Sequence, residues 1–457
     1  MKKLIKLFEI ILFLIFLVLV IFTKQKFTIL LTIPVVILIY FFSKKVPIKR
    51  YSLFIFILAF VIRLISIFVL KVEITDDFKT MYEASKSLIN GNLSFMNNFY
   101  FHTYIVQLGL TLYQALLLKL VNSVIILKIF NSIYTSLIVV MIYKIVKELF
   151  EENTARMVSL GYIFYLYPLY LNSVLTNQHI PALLMLIVIY IILKKEQTIK
   201  TSIIIALLLA VANFFRTESI IFIMGIFAYN IINLTKTNYK KTLINLGLVL
   251  VTYFSITTLS TQILLHTPLF TKTDNDPSYK KDVTLWKFYC GLNKEYNGLY
   301  NEEDANTYFQ SDNSKELLKE RIKNDYKSFP VLFIKKEVIL WTQTNYDLCI
   351  KNNINSNLYN LLLYFNQGIL NLVLVLFVIS LYPFRKLKED KTLFIKILIG
   401  LYVLIYAFIE ISPRYAYILH ILIFLIIGRA IEDIYKLINK KGETKNEKVI
   451  KHRKKVH

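Results

Sequence analysis

The chain has 457 residues, 56% of them hydrophobic and only 18% charged, with 34 Phe and 31 Tyr. Soluble domains carry about 25% charged residues and disordered chains are poor in aromatics, so both classes are excluded. The formal charge of +24 sits in short basic clusters between long apolar runs, which marks a polytopic membrane protein and not a nucleic-acid binder.

In chain order, the apolar runs predict spans near 7–22, 27–42, 52–70, 124–143, 157–175, 179–193, 199–214, 218–233, 242–264, 358–381, 392–411 and 414–435. No small-residue cleavage site follows the first run, so it is expected to stay as a signal anchor. The stretch 104–120 is also apolar, and its placement decides everything after it. If it does not cross, 20 Lys and Arg fall in inner loops, and the short outer turns hold only Lys24, Lys26, Arg216 and Arg414. If it crosses, the clusters Lys194–Lys200 and Lys236–Lys241 move outside, against the positive-inside rule. The expectation is an all-α polytopic protein of about twelve transmembrane helices, with 104–120 re-entrant or juxtamembrane and both termini cytoplasmic.

This divides the chain into five parts. A two-span hairpin covers 1–50, and a transmembrane module with a first outer loop at 71–123 covers 51–265. A second outer segment follows at 266–357, then the C-terminal spans at 358–435 and a basic cytoplasmic tail at 436–457. The second outer segment is near neutral, with 10 basic and 11 acidic residues over 266–329. Within it, Phe329–Trp341 mixes apolar residues with Lys335, Lys336 and Glu337, which predicts an interfacial amphipathic helix anchored by Trp341. The tail, with nine Lys and Arg and two acids, suits anionic lipid headgroups.

Chemistry is sought among charges at span ends, where burial makes them costly. Arg63 lies within the third span. Asp76 and Asp77 follow its outer end, and an adjacent carboxylate pair offers a general base for a hydroxyl acceptor or a cation ligand. The same aspartates would also serve as an N-cap for the helix starting near Phe78. No P-loop, GxGxxG, HExxH or GxSxG pattern is present, and two cysteines, Cys290 and Cys349, make neither a disulfide framework nor a metal cluster.

The order of these elements resembles the GT-C superfamily of membrane glycosyltransferases, closest to the family 39-like members related to protein mannosyltransferases and the lipid A aminoarabinose transferase. Arg63 in a span, then Thr75-Asp76-Asp77-Phe78 opening an outer loop, then Tyr82, Ala84 and Gly91, follow that family's pattern. Aligned on Ser-Asp-Phe, the family's catalytic acid falls on Asp77, the preferred assignment; aligned on Asp-Glu it falls on Asp76. Ala155, Tyr167-Pro168 and Leu175-Thr176-Asn177-Gln178-His179 resemble a helix whose outer end carries a second acid. Here that position is Asn177 or Gln178, a departure that removes one carboxylate ligand for a divalent metal. Arg216 in NFFRTES, the loop Cys290-Gly291-Leu292-Asn293 with Asn297-Gly298 and Asn301-Glu302-Glu303-Asp304, and Ser412-Pro413-Arg414-Tyr415 complete a match spread over about 52–430.

The resemblance implies sugar transfer, with inversion, from a polyprenyl-phosphate donor to an envelope glycan, lipid or protein acceptor on the extracytoplasmic face, with no organic cofactor. Asp77 or Asp76 would be the base, and Tyr82, Asn177, Gln178, His179 and Tyr415 would bind substrate. A lipid-phosphate leaving group calls for cations, and Arg216, Arg414, Lys335 and Lys336 are expected on that side. Arg216 and Arg414 have plainer readings as headgroup anchors or, for Arg414, as an ion pair with Glu410. A lipid-sugar transporter would need polar residues at midplane along several spans, and these are scarce apart from Arg63 and His420. A non-catalytic envelope assembly protein would explain the outer segments but not the aspartate pair.

The topology has a direct test. A cysteine at Asn297 should react with an impermeant thiol reagent on intact cells, and one in the tail only after permeabilisation; the reverse pattern overturns the orientation.

Overall fold

The computed structural model describes residues 2–44, 47–70, 72–235, 237–266, 283–344, 356–384 and 390–437. The expected tail beyond 437, Cys349, and 267–282 and 345–355 of the expected second outer segment lie outside the described residues. Among those described, the structure is all-helical with no strand, and one isolated bridge pairs Leu299 with Ile411.

The first helices are α1 (Lys2–Phe22), α2 (Ile33–Ser43), reached through a 3-10 turn at Lys26–Thr32, and α3 (Tyr51–Leu70). On α3 the exposed residues are Leu53, Ile57, Val61, Ile65, Phe68 and Val69, all apolar, and the first five form a stripe at helical spacing. The opposite stripe, Tyr51, Ile55, Ala59 and Arg63, is fully buried. An apolar outer face with polar groups turned inward is the inside-out pattern that lipid imposes. Arg63 therefore points into the bundle, where its Nη1 donates to the Ala59 carbonyl at 3.2 Å.

The segment expected as the first outer loop forms α4 (Asp76–Ile89), α5 (Phe99–Thr103) and α6 (Leu108–Leu120). With 13 residues, α6 is roughly 20 Å long, short of a ~30 Å crossing. It packs on α4 and on α7 (Val124–Leu149). Gly109 makes a close approach possible there: a Cβ at this position would lie 1.7 Å from the Phe214 carbonyl oxygen. That contact sets α6 against the turn that carries Arg216.

The long helix α7 is central, touching α3, α6, α8 (Glu152–Phe164), α9 (Tyr167–Ser173) and α10 (His179–Lys194). The span expected at 157–175 is two helices instead. Pro168 in the first turn of α9 has no N–H for a continuous helix and restricts the residue before it, so the chain turns at Tyr165–Leu166. After these come α11 (Ile199–Asn213), α12 (Ser219–Ile232) and α13 (Tyr239–Leu265).

In the segment expected as the second outer one, residues 283–344 fold as α14 (Val283–Gly291), α15 (Glu302–Gln310), α16 (Ser314–Asp325) and α17 (Phe329–Thr342). Its first three helices close on an aromatic cluster of Trp286, Tyr289 and Tyr308. Arg321 braces them from α16, donating to both Asp304 carboxylate oxygens at 2.9 and 2.7 Å. The last helices are α18 (Ser356–Leu381), α19 (Leu393–Phe408) and α20 (Ala416–Ile426). Every residue of α20 is buried, as befits a helix that is apolar all round.

Trp341 corrects one expectation. It is not an interfacial anchor: it is fully buried, edge-on to Phe16 of α1 with centroids 4.9 Å apart, and its indole N–H donates to Glu337 at 2.6 Å. On α17 Lys336, Glu337 and Trp341 face the bundle, whereas Val331, Ile334 and Lys335 are exposed.

Among the described residues, six helical segments are long and apolar enough to cross a membrane: Lys2–Phe22, Lys26–Ser43, Tyr51–Leu70, Val124–Leu149, Tyr239–Leu265 and Asn357–Leu381. The shorter apolar helices, such as Ile199–Asn213 and Leu393–Phe408, reach only about 22–24 Å at 1.5 Å per residue.

Gly109→Ala should force α6 off the Phe214 carbonyl and destabilise the protein by about 1–3 kcal/mol. The check is a lowered thermal midpoint in detergent, against Gly247→Ala, where a Cβ meets nothing within 4 Å and the midpoint should hold.

Candidate active site at one end of the bundle

The residues singled out at outer span ends come from the α3–α4 junction, the α9–α10 loop, the α11–α12 turn and the α19–α20 turn. They meet around one cavity of about 1190 Å³. Asp76, Asp77, Asn177, Arg216, Arg414 and Tyr415 all line it.

Two of these junctions hold non-glycine residues in the left-handed backbone region, Asp76 at φ 51° and Leu175 at φ 62°. For a γ-branched Leu this is a costly conformation, kept only where the surroundings enforce it. At Leu175 it turns the chain so that Asn177, Gln178 and His179 are presented in succession. At Asp76 it turns the chain from α3 into α4, so that Asp76 stays exposed while Asp77 is half-buried toward the cavity.

The charges form three pairs. Arg414 donates to the Asp77 carboxylate at 2.5 Å, with its guanidinium over the Phe78 ring. Arg216 pairs with Glu218, donates to Asn177 Oδ1 at 3.1 Å and lies 5.0 Å from the Tyr415 ring centroid. Lys287 of α14 pairs with Glu410 at 2.6 Å. The expected alternative of an Arg414–Glu410 pair is not formed: each side chain has a different partner. Burial alone lowers the Arg216 and Lys287 pKa values. Negative potential outweighs it at both, from Glu218 and Tyr415 at Arg216 and from Tyr415 and Glu410 at Lys287, so both are held above their ordinary values and stay charged. Burial pushes the phenols of Tyr100 and Tyr104 up, so both face the cavity as neutral hydroxyls.

Asn177 explains its departure from the acidic residue of the resembled pattern. Its amide oxygen accepts from Arg216 while its amide nitrogen donates to Gln107 at 2.9 Å. A neutral two-sided group links the two elements where a second carboxylate would only accept. Gln178 donates to the Arg414 backbone carbonyl at 2.5 Å and so fixes the turn carrying that arginine. The carboxylates lining the cavity are Asp76, Asp77 and Glu410, of which Asp77 and Glu410 are ion-paired. Among the described residues no group of three or more His, Cys, Asp or Glu side chains converges as a metal site.

Five expected site residues do not line the cavity: Gln178, buried on the Arg414 carbonyl, and four others. His179 is buried behind the cavity with Nδ1 2.9 Å from the Tyr417 hydroxyl. Tyr82 packs in the small cluster with Leu117, Leu118 and Leu127. Lys335 is exposed on α17 and does not line the cavity. Lys336 is wholly buried, and its ammonium donates to the carbonyls of Gly291, Ala407 and Ile409 at 2.8, 2.9 and 2.7 Å. Three donors and three acceptors saturate the group, so it clamps α14 to the end of α19 and has no capacity for a phosphate.

That clamp positions Lys287, which the sequence reading missed. Gly291 lets α14 approach, since a Cβ there would lie 2.2 Å from the Ile409 carbonyl carbon. The Glu410 N–H then donates to the Lys287 carbonyl at 2.7 Å. The available signal was the lone cation interrupting the apolar run Val-Thr-Leu-Trp-Lys-Phe-Tyr-Cys.

A scan of known family models and a search of curated proteins find nothing that matches the chain.

Lys336→Met should lower stability by about 2–4 kcal/mol, because three buried carbonyls lose a charged donor. Lys335→Met should stay within about 0.5 kcal/mol. Thermal midpoints of the two purified variants check the assignment, and equal midpoints would return Lys336 to the site.

Proposed function

We propose that the protein is a membrane glycosyltransferase of the GT-C type. It transfers a sugar from a polyprenyl-phosphate donor to an envelope acceptor on the extracytoplasmic face, through a bundle of about twelve spans. The observation that carries this reading is the joint presence of Asp76 and Asp77 with Arg216, Lys287 and Arg414 on one cavity at one end of an apolar bundle.

The cavity has the two characters such a donor needs. Its polar end holds the three cations, and an apolar wall of Ile105, Val106 and Ile220 leads from it. Ile220 is exposed on the flank of the bundle, so a lipid tail can stay in the bilayer while its phosphate reaches the cations. Arginine suits this task because its planar fork matches phosphate oxygens.

The resting charge balance gives an order of events. Each cation is already matched by a carboxylate, so an incoming phosphate takes Arg414 by displacing Asp77. Asp77 is then free to accept the acceptor's hydroxyl proton as that oxygen attacks the anomeric carbon. The bond from the anomeric carbon to the phosphate oxygen breaks, its electron pair leaves with the polyprenyl phosphate, and the cations stabilise the added charge. Attack opposite the leaving group inverts the anomeric centre. Asp76, on the same cavity, takes the base role if Asp77 serves only to hold Arg414.

The test uses protein in proteoliposomes with a panel of radiolabelled polyprenyl-phosphate sugars and an envelope fraction. Asp77→Asn should reduce transfer by about 10²–10⁴-fold with normal membrane insertion. Arg414→Ala, Arg216→Ala and Lys287→Ala should each weaken donor affinity and turnover together, with Arg216→Lys milder than Arg216→Ala. Full transfer by both Asp77→Asn and Asp76→Asn would remove the carboxylates from the mechanism.

A further inference from the structure

A second cavity, of about 980 Å³, lies on the outer side of α4 and shares Asp76, Asp77 and Asn98 with the first. The two cavities therefore meet at the aspartate pair. One wall of the second is a single face of α4, running from Asp76 past Thr80 to Ser87, roughly 16 Å at 1.5 Å per residue. The facing wall is the turn carrying Ser94 and Asn97, and Phe95 and Phe101 line the groove edge-to-face, 5.4 Å apart.

We propose that this groove binds the acceptor, and that the acceptor is an uncharged or weakly charged, hydroxyl-rich glycan chain. The inference rests on the glycosyl-transfer reading and narrows it, since that reading leaves glycan, lipid and protein open.

Charge separates the two cavities. The first is lined by three cations against Asp76, Asp77 and Glu410, whereas the second has Lys79 alone against Asp76, Asp77 and Glu83. A phosphate-bearing lipid acceptor would be repelled from the second, where carboxylates outnumber cations, whereas in the first they balance. Aliphatic lining is also missing from the groove apart from Ala84, so a hydrocarbon tail has no wall to bury against. A peptide acceptor would seek backbone partners, as extended peptides do. The backbone of this turn is already engaged: the N–H groups of Ser94, Met96, Asn98 and Tyr100 donate to Asn92 Oδ1, the Leu93 carbonyl, the Phe95 carbonyl and Asn98 Oδ1. What remains are hydroxyls and amides that both donate and accept, around the partly exposed Phe95 ring, which the fully buried Phe101 backs. Sugar hydroxyls also both donate and accept, and their C–H faces pack on aromatics.

The experiment uses the full-length protein in proteoliposomes, the radiolabelled polyprenyl-phosphate sugars, and an envelope fraction separated afterwards into polysaccharide, solvent-extractable lipid and protease-sensitive protein. Label should appear in the polysaccharide. Ser87→Trp and Asn97→Trp plug the groove from its two walls and lie outside the donor cavity. Each should raise the acceptor KM by about tenfold or more with the donor KM unchanged. Photolabelling of the donor cavity by a polyprenyl-phosphate probe should be unchanged, which also reports that the variants fold. Normal transfer by both variants, with Asp77→Asn still inactive, would overturn the groove while leaving the transferase reading intact. Label in the lipid or protein fraction would overturn the acceptor class. No transfer by the unaltered protein and no probe labelling would overturn the transferase reading, and this inference with it.

Discussion

The contact between Arg414 and Asp77 joins residues 337 positions apart in the chain. It brings the turn before α20 onto the first turn of α4, and the cavity lies between these elements and the second outer segment. A charge at the edge of a low-dielectric bundle is costly unless it is matched. The same constraint places Glu218 against Arg216 and Glu410 against Lys287. Arg63, buried in α3, instead uses the backbone carbonyl of Ala59.

Around these pairs the polar groups act as struts. Asn177 bridges Arg216 to Gln107, Gln178 holds the carbonyl of Arg414, and the Tyr415 ring lies beside both guanidiniums. Lys336 fastens the second outer segment to the end of α19 through three carbonyls, which brings Lys287 to the cavity. The left-handed backbone at Asp76 and Leu175 falls at the two joints where the chain must change direction to enter this arrangement. Strain at such joints persists because the surrounding contacts over-determine them.

Much of the candidate site was legible in the sequence because charges are conspicuous in a chain this apolar. Asp76, Asp77, Arg216 and Arg414 stand at the ends of apolar runs, and counting basic loops puts those ends on one side. The failures have a common cause. Trp341 and Lys336 lie in a helix whose pattern reads as amphipathic, and a helix packed among other helices shows the same alternation as one lying on a lipid surface. His179 and Tyr82 stand where a motif would use them, but their neighbours are Tyr417 and the Leu117–Leu118 cluster. Pro168 was visible, yet the unbroken apolar run around it outweighed the break it makes.

By itself the sequence determined that this is a helical membrane protein, since runs of apolar residues with few charges have no other stable home in water. It also determined which charges gather at one end, because helix ends follow from the local pattern. Only the tertiary structure decided which charge pairs with which, that Lys287 belongs to the cavity and Lys336 does not, and that the aspartate pair borders two cavities, one charge-balanced and one acidic. Apart from the local Arg216–Glu218 pair, those outcomes depend on contacts between segments 45 to more than 300 residues apart. Local periodicity carries no record of them, because the energy of a buried charge is set by whatever the fold brings next to it.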